Sequence, residues 1–315
     1  MKKTLSFFFL MISFYAFSQE KFSKEISFVT DNDLYISTIR DRYYTSGIFL
    51  SFRQLKDSPK KTLIKKIYEW KIGHEMYTPY KSTVISIDKH DRPFAGYLYG
   101  SVGVNRFAKN YAFNTSVQLG VIGPNSYAKE LQEFIHDIYG FKKAIGWEHQ
   151  IKSAFALNFN AEYLKPILNV ENNHFDVTWF NSLNFGTVYT NVASGFYSRI
   201  GFISLQDHTN TIAFNSNLNN SKTKYYRVKE SFFYIKTMLR YALYDATLQG
   251  SFLNKTSPVT KELVPLVFDL ELGLKFTFNK FNFGYIFNYN TSKSKELRYN
   301  YGNKYGTIAV NYIFN

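Results

Sequence analysis

Cysteine is absent from the 315 residues, which excludes a disulfide framework, a thiolate zinc site and a cysteine nucleophile. No run reaches the roughly 20 consecutive apolar residues that a membrane-spanning helix needs. A mean hydropathy of -0.26 agrees that this is no helical membrane protein. Acidic side chains are the minority, 24 against 38 Lys and Arg, for a net charge of +14. The basic residues do not gather with aromatics into a groove, and the chain carries an export signal, so nucleic acid is not an expected partner. What abounds is aromatic: 26 Tyr, 32 Phe and 3 Trp, too many for a disordered chain to leave unburied.

The N-terminus sets the compartment. Lys2 and Lys3 precede a short apolar run from Leu5 to Phe17, and Ala16 and Ser18 put small residues just before Gln19. This is the pattern of a secretory signal peptide over residues 1–18, leaving residues 19–315 as the mature domain. Loss of Lys2 and Lys3 lowers the net charge from +14 to +12. An exported chain with no second apolar run belongs in the periplasm, outside the cell or in the outer membrane.

Along the C-terminal third the hydrophobic period is two. Leu266, Phe268, Leu270, Leu272, Leu274, Phe276 and Phe278 alternate with Val267, Asp269, Glu271, Gly273, Lys275 and Thr277. Asn279 and Lys280 then form a two-residue turn, and the apolar face resumes at Phe281, Phe283, Tyr285, Phe287 and Tyr289. Strands this long with an unbroken apolar face match tilted membrane-spanning strands of roughly 9 to 11 residues. Backbone groups in lipid must all be paired, so such strands close into a barrel.

The pattern predicts an all-β, transmembrane antiparallel barrel of about twelve strands: 25–34, 43–54, 63–77, 93–107, 111–121, 148–165, 173–185, 190–205, 229–245, 263–278, 281–291 and 303–314. The longer links 35–42, 78–92, 122–147 and 246–262 fall outside the cell. The link 206–228 is long, polar and on the periplasmic side, and reads as a flexible loop. One segment is helical: Gly123-Pro124-Asn125 offers a start, Leu131, Phe134, Ile135 and Ile138 follow at helical spacing, and Gly140 ends it. A short helix therefore sits in the third external loop, with Gln132 and His136 one turn apart on one face.

Two groups of residues could carry chemistry. If the first turn centres near residue 39, Asp33 and Thr45 lie opposite each other, and Asp31, Asn32, Asp33 and Thr45 gather near one spot. Hard oxygens of this kind suit calcium; the same residues also serve as plain caps of strand ends at a wet loop. His136 is the one histidine of six on the loop helix, and its pKa range suits a general base. A lone helical histidine is more commonly packed or solvated. His74, His90, His149, His174 and His208 show no metal-ligand spacing, and Ser46 lacks the Gly-x-Ser-x-Gly context of a serine nucleophile.

At this point the sequence resembles a known family, the outer-membrane lipid A 3'-O-deacylases (LpxR-like). The resemblance is carried in order by Asn32-Asp33; Asp41-Arg42-Tyr43-Tyr44-Thr45-Ser46-Gly47; Tyr77-Thr78-Pro79; Asp91-Arg92-Pro93-Phe94-Ala95-Gly96; Leu119-Gly120-Val121-Ile122-Gly123-Pro124; Gln132 with His136; and Gly146-Trp147 with Gln150. It spans residues 26 to about 190, and beyond that only the strand pattern agrees. It implies a twelve-stranded barrel with an active site between the barrel wall and an external-loop helix, and calcium as cofactor.

By motif position the resemblance implies Asn32, Asp33, Thr45 and His136 as the essential residues, with Asn32 and Asp33 near the metal and Gln132 lining the site. A basic residue after Tyr77-Thr78-Pro79 would bind substrate, with Lys81 and Lys89 as candidates. The implied reaction is calcium-dependent hydrolysis of a 3'-O-linked acyl or acyloxyacyl chain from the lipid A of lipopolysaccharide; the barrel is expected to be a monomer. Lys142 and Lys143 could attract lipid A phosphates, although lysine abounds throughout, including Lys60, Lys61, Lys65 and Lys66 on the periplasmic side. Two other readings stay open: a phospholipase-type lipid esterase on a similar barrel, and a non-enzymatic, porin-like barrel.

Overall fold

A computed structural model describes residues 20–36, 42–57, 62–169 and 173–315. The expected signal peptide, Asp41, Lys60 and Lys61 lie outside the described residues. Twelve antiparallel strands close into one barrel, in which each strand pairs with its sequence neighbours and the first with the last. They are β1 (Lys24–Asn32), β2 (Tyr43–Lys56), β3 (Leu63–Thr78), β4 (Ala95–Ala108), β5 (Ala112–Ile122), β6 (Ala154–Asn169), β7 (Phe175–Gly186), β8 (Tyr189–Gly201), β9 (Ser231–Asp245), β10 (Leu266–Phe278), β11 (Phe281–Asn290) and β12 (Asn303–Phe314). Lys24 opposite Phe314 and Asn32 opposite Gly306 complete the closure. No backbone edge is left for lipid.

Alternation decides which side chains face where. Ile26, Phe28, Leu50, Ile72, Val102 and Leu119 stand exposed on the outside of the barrel, while Glu25, Ser27, Asp31, Ser51 and Arg53 are buried. Inside, charges meet opposite charges across strands: Arg53 bridges Glu25 and Glu69, Lys236 reaches Glu271 at 2.9 Å, and Arg240 pairs with Asp269. An apolar outside and a polar inside is the arrangement of a barrel in a bilayer.

The β10–β11 hairpin turns at Asn279, whose φ of 49° is the left-handed conformation that asparagine tolerates. The external helix, α1 (Ala128–Tyr139), lies where the spacing predicts it. A second, single-turn helix, α2 (Ala246–Gln249), begins at Asp245, whose carboxylate accepts from the Thr247 amide at 2.9 Å. Strand β6 starts later than predicted, at Ala154. Trp147–His149 forms a 3-10 turn instead, and the Ile151 amide donates to the Phe94 carbonyl rather than to a strand. Strand β8 stops at Gly201, four residues short of the predicted end.

The largest correction concerns the link 206–228, which is not a flexible loop. It folds into the barrel at the end that carries the short hairpin turns, and closes that end. Ile212, Ala213, Phe214 and Leu218 join a core with Phe22, Ile67, Phe107 and Phe232. Lys65 of β3 donates to Asn210 Oδ1 at 3.0 Å and to the Ser216 carbonyl at 2.7 Å. Arg199 of β8 donates to Thr211 Oγ1 at 2.7 Å, and His208 Nε2 donates to the Ala108 carbonyl at 3.0 Å. The polar composition that reads as loop supplies hydrogen-bond partners for a polar lumen.

Candidate active site on the outer wall

The candidate residues converge through a break in the β2–β3 pairing. Tyr44 lies opposite Tyr77, but Ser46 lies opposite Met76, so Thr45 is one residue too many. A bulge of this kind re-aims side chains. Tyr44 points inward, where its hydroxyl donates to Asp31 Oδ2 at 2.7 Å. Thr45 and Ser46 then both turn to the outside, and Thr45 Oγ1 shares a hydrogen bond of 2.8 Å with Thr78 Oγ1. On β1, Asn32 lies opposite Ser46, the register that a turn centred on residue 39 demands. Asp31 faces the lumen, apart from the group expected to gather with it.

Helix α1 stands over this stretch of wall. Glycine makes the close approach possible: a Cβ on Gly96 would lie 2.1 Å from Ser126 Oγ and 2.3 Å from the Ala128 Cβ. His74, on the outer face of β3, donates from Nε2 to the Ser126 carbonyl at 2.9 Å. Behind the helix, Met76, Phe94, Ala128, Ala144 and Trp147 pack together, with Leu131 and Ile135 against them. Asp91 ties the loops above, accepting from the Tyr43 hydroxyl at 2.9 Å and from the Tyr80 and Arg298 amides, each at 3.0 Å. Burial depresses the pKa of His90, keeping it a neutral ring that donates to the Val84 carbonyl at 2.8 Å.

Between wall and helix lies a cleft of about 750 Å³, lined by Asn32, Thr45 and Ser46 from the wall and by Lys81, Gln132, His136 and Lys142 from the loops. Lys89 does not line it. His136 is 4% exposed, and its Nδ1 lies 2.7 Å from the Lys142 carbonyl. A carbonyl only accepts, so the proton sits on Nδ1 and the lone pair on Nε2. Gln132 is 2% exposed; its Oε1 accepts from the Trp147 indole at 2.7 Å, while its Nε2 has no partner among the described residues. A buried amide donor without a partner is uncommon enough to call for an explanation.

Asn32 Oδ1 accepts from the Leu34 amide at 2.8 Å and Asp33 Oδ2 from the Arg42 amide at 2.9 Å. The first contact caps the short 3-10 turn Asp33–Tyr35, as the capping reading expects, and the second ties that turn to Arg42, just before β2. The Asn32 oxygen keeps a second lone pair. Among the described residues no three His, Asp or Glu side chains converge as a metal cluster. The donors present are nevertheless all hard oxygens, the chemistry calcium takes. A cation here would draw one carboxylate, one amide oxygen and hydroxyls from the protein, and the rest of its shell from backbone and water.

Sequence reasoning missed the Lys142 carbonyl, which sets the His136 tautomer, and the tie at Asp91. Backbone partners leave no residue-type signal. Trp147 stood in a quoted motif without a role.

Fold and site together define an outer-membrane β-barrel whose candidate site lies on the outer wall beneath an external helix. Within that class, the chain belongs to the family described as outer membrane protein LpxR, which it matches over residues 4–314. Among solved structures it is similar to LpxR from Salmonella typhimurium, with a TM-score of 0.72 and 19% identity over 92% of this chain and 100% of that one. The beta domain of the Bordetella autotransporter Brka aligns over 94% of this chain and 99% of its own, at 8% identity and a TM-score of 0.49. That likeness is too loose to carry weight. No curated protein matches the chain.

Proposed function

We propose that the protein is a carboxylic ester hydrolase that removes a 3'-O-linked acyl or acyloxyacyl chain from the lipid A of lipopolysaccharide. One observation carries the reading: His136 and Gln132, whose amide nitrogen has no partner among the described residues, line the same cleft on the outside of the barrel as Asn32 and Thr45. An ester at the membrane surface can reach such a cleft, and a group inside the lumen could not act on it. Family membership supports lipid A as the substrate. The packing of residues 206–228 into the inner end of the barrel argues against a porin. One barrel carries every group named, so the reading needs no second copy.

In this mechanism His136 Nε2 takes a proton from the attacking water. The Lys142 carbonyl holds the imidazole by Nδ1 and stabilises its charged form once it is protonated. Gln132 Nε2 donates to the ester carbonyl, where negative charge develops, and Thr45 orients the water. Lys81 and Lys142 attract the lipid A phosphates. Asn32 and Asp33 would hold a calcium ion, which when bound supplies Lewis-acid polarisation of the ester.

The test incubates the refolded barrel with purified lipid A in detergent and reads the product masses, with calcium, with chelator and with His136→Ala. Loss of one 3'-linked acyl unit is expected with the intact protein in calcium. His136→Ala should slow it by about 10²–10⁴-fold, the usual worth of a general base. A glycerophospholipid cleaved in place of lipid A, or no mass change with the barrel demonstrably folded, would overturn the assignment.

A further inference from the structure

Helix α1 carries three stripes, and the site uses only one. Ala128, Gln132 and His136, each one turn apart, are buried against the wall. Lys129, Glu133 and Asp137 form a second stripe, polar and flanked by Glu130. The third, which starts one turn beyond Glu130, is apolar and uncovered: Phe134 and Ile138, again one turn apart, are 62% and 63% exposed, and the exposed Tyr127 caps the helix from just outside it. A helix built only to roof a cleft in water would carry polar residues on this stripe.

Helix α1 starts just above an apolar surface: His74, which holds the Ser126 carbonyl, stands two residues along the same outward row from the exposed Ile72. The cleft is floored by Thr30 and Ile48. Below them on the same outward rows stand Phe28 and Leu50, opposite each other across β1 and β2, and then Ile26 and Ile72, all exposed. These rows belong to the belt that faces lipid. We infer that Phe134 and Ile138, with Tyr127 at the cap, seat α1 in the outer leaflet of the same membrane, so that the cleft opens onto acyl chains rather than water. The Lys129–Glu133–Asp137 stripe then faces the headgroups and solvent, the posture of an interfacial amphipathic helix.

Because the chain has no cysteine, one introduced cysteine carries one spin label at a known place. Phe134→Cys, Ile138→Cys, Glu130→Cys and Asp137→Cys would each be labelled in the mature barrel, refolded into vesicles and checked for heat-modifiable migration. Leu50→Cys serves as the reference for the lipid belt. Collision with molecular oxygen, which partitions into lipid, is compared with collision with a water-soluble nickel chelate. The oxygen-to-nickel ratio at 134 and 138 should approach that at 50 and exceed that at 130 and 137 several-fold. Nickel reaching 134 and 138 as freely as 137 would overturn the inference. So would dipolar broadening showing that two copies pack helix against helix. No catalysis is read, so the outcome is independent of the hydrolase assignment.

Discussion

The two ends of this barrel bury polar side chains to the same degree and for different purposes. At the inner end Arg199, 1% exposed, pairs with Asp176 and donates to Thr211 Oγ1 at 2.7 Å and the Gln206 carbonyl at 2.8 Å. Glu230 accepts from the Thr211 hydroxyl and the Ile212 amide, both at 2.7 Å. At the outer end Gln132 and His136 are just as buried, yet they border a cleft, and the Gln132 Nε2 has no partner among the described residues. Buried polarity therefore does not mark a site. What marks one is a buried donor or base turned toward space that a substrate can fill.

Breaking the inner end should change stability and leave chemistry alone. Arg199→Ala strands the buried Glu230 carboxylate and unpairs the half-buried Asp176, at a cost of about 3–5 kcal/mol. The urea midpoint should fall accordingly, with the specific activity of the folded fraction unchanged. A variant that lost activity at full stability would show the two ends to be coupled. The outer end should respond the other way. In Gly96→Val the new side chain collides with Ser126 and Ala128, lifting α1 from the wall and moving His136. Misplacement by about 1 Å costs on the order of 10²-fold in rate, while the urea midpoint should hardly move. An unchanged rate would mean that the helix is not rigidly seated.

The contrast also explains what could be read from the chain. The strands were legible because a period of two, held over ten or more residues, leaves no other arrangement in lipid. The helix was legible from Leu131, Phe134, Ile135 and Ile138. The pairing of β1 with β2 followed from arithmetic on the first hairpin. The bulge at Thr45 was not legible, because nothing in Tyr43-Tyr44-Thr45-Ser46 marks an extra residue in the pairing. It is the bulge that brings Thr45 and Ser46 to the same side. The inner plug was misread for a related reason: an Asn-, Ser- and Thr-rich stretch looks the same in water as against a polar lumen, and only the lumen's unsatisfied groups distinguish the two. Inward Asp31 and outward Asn32 differ by one position in a strand, which decides everything about their role.

A smaller effect depends on pH. Burial depresses the pKa of His208, in the plug, below its ordinary 6.5. The unfolded chain therefore takes up a proton before the folded one does, so stability is full above about pH 6.5 and declines as pH falls below it. Amide hydrogen exchange over residues 208–219 should speed up between pH 7.5 and 5.5 once the intrinsic pH dependence is removed. His208→Gln should flatten that response. Equal acceleration in the variant would place the sensitive group elsewhere, with His90, whose pKa is depressed by the same cause, the first to examine.

The smallest effect concerns Lys142, which divides into two parts. Its carbonyl holds His136 Nδ1 at 2.7 Å, while its exposed ammonium lies at the rim of the cleft. Lys142→Ala removes the charge and leaves the carbonyl in place. An exposed charge interaction is worth about 0.2–1 kcal/mol, so KM should rise only a few-fold, kcat should stay level, and the difference should shrink in high salt. Should kcat fall instead, the lysine acts on the reacting ester, and the working face extends past His136 to the rim of the helix.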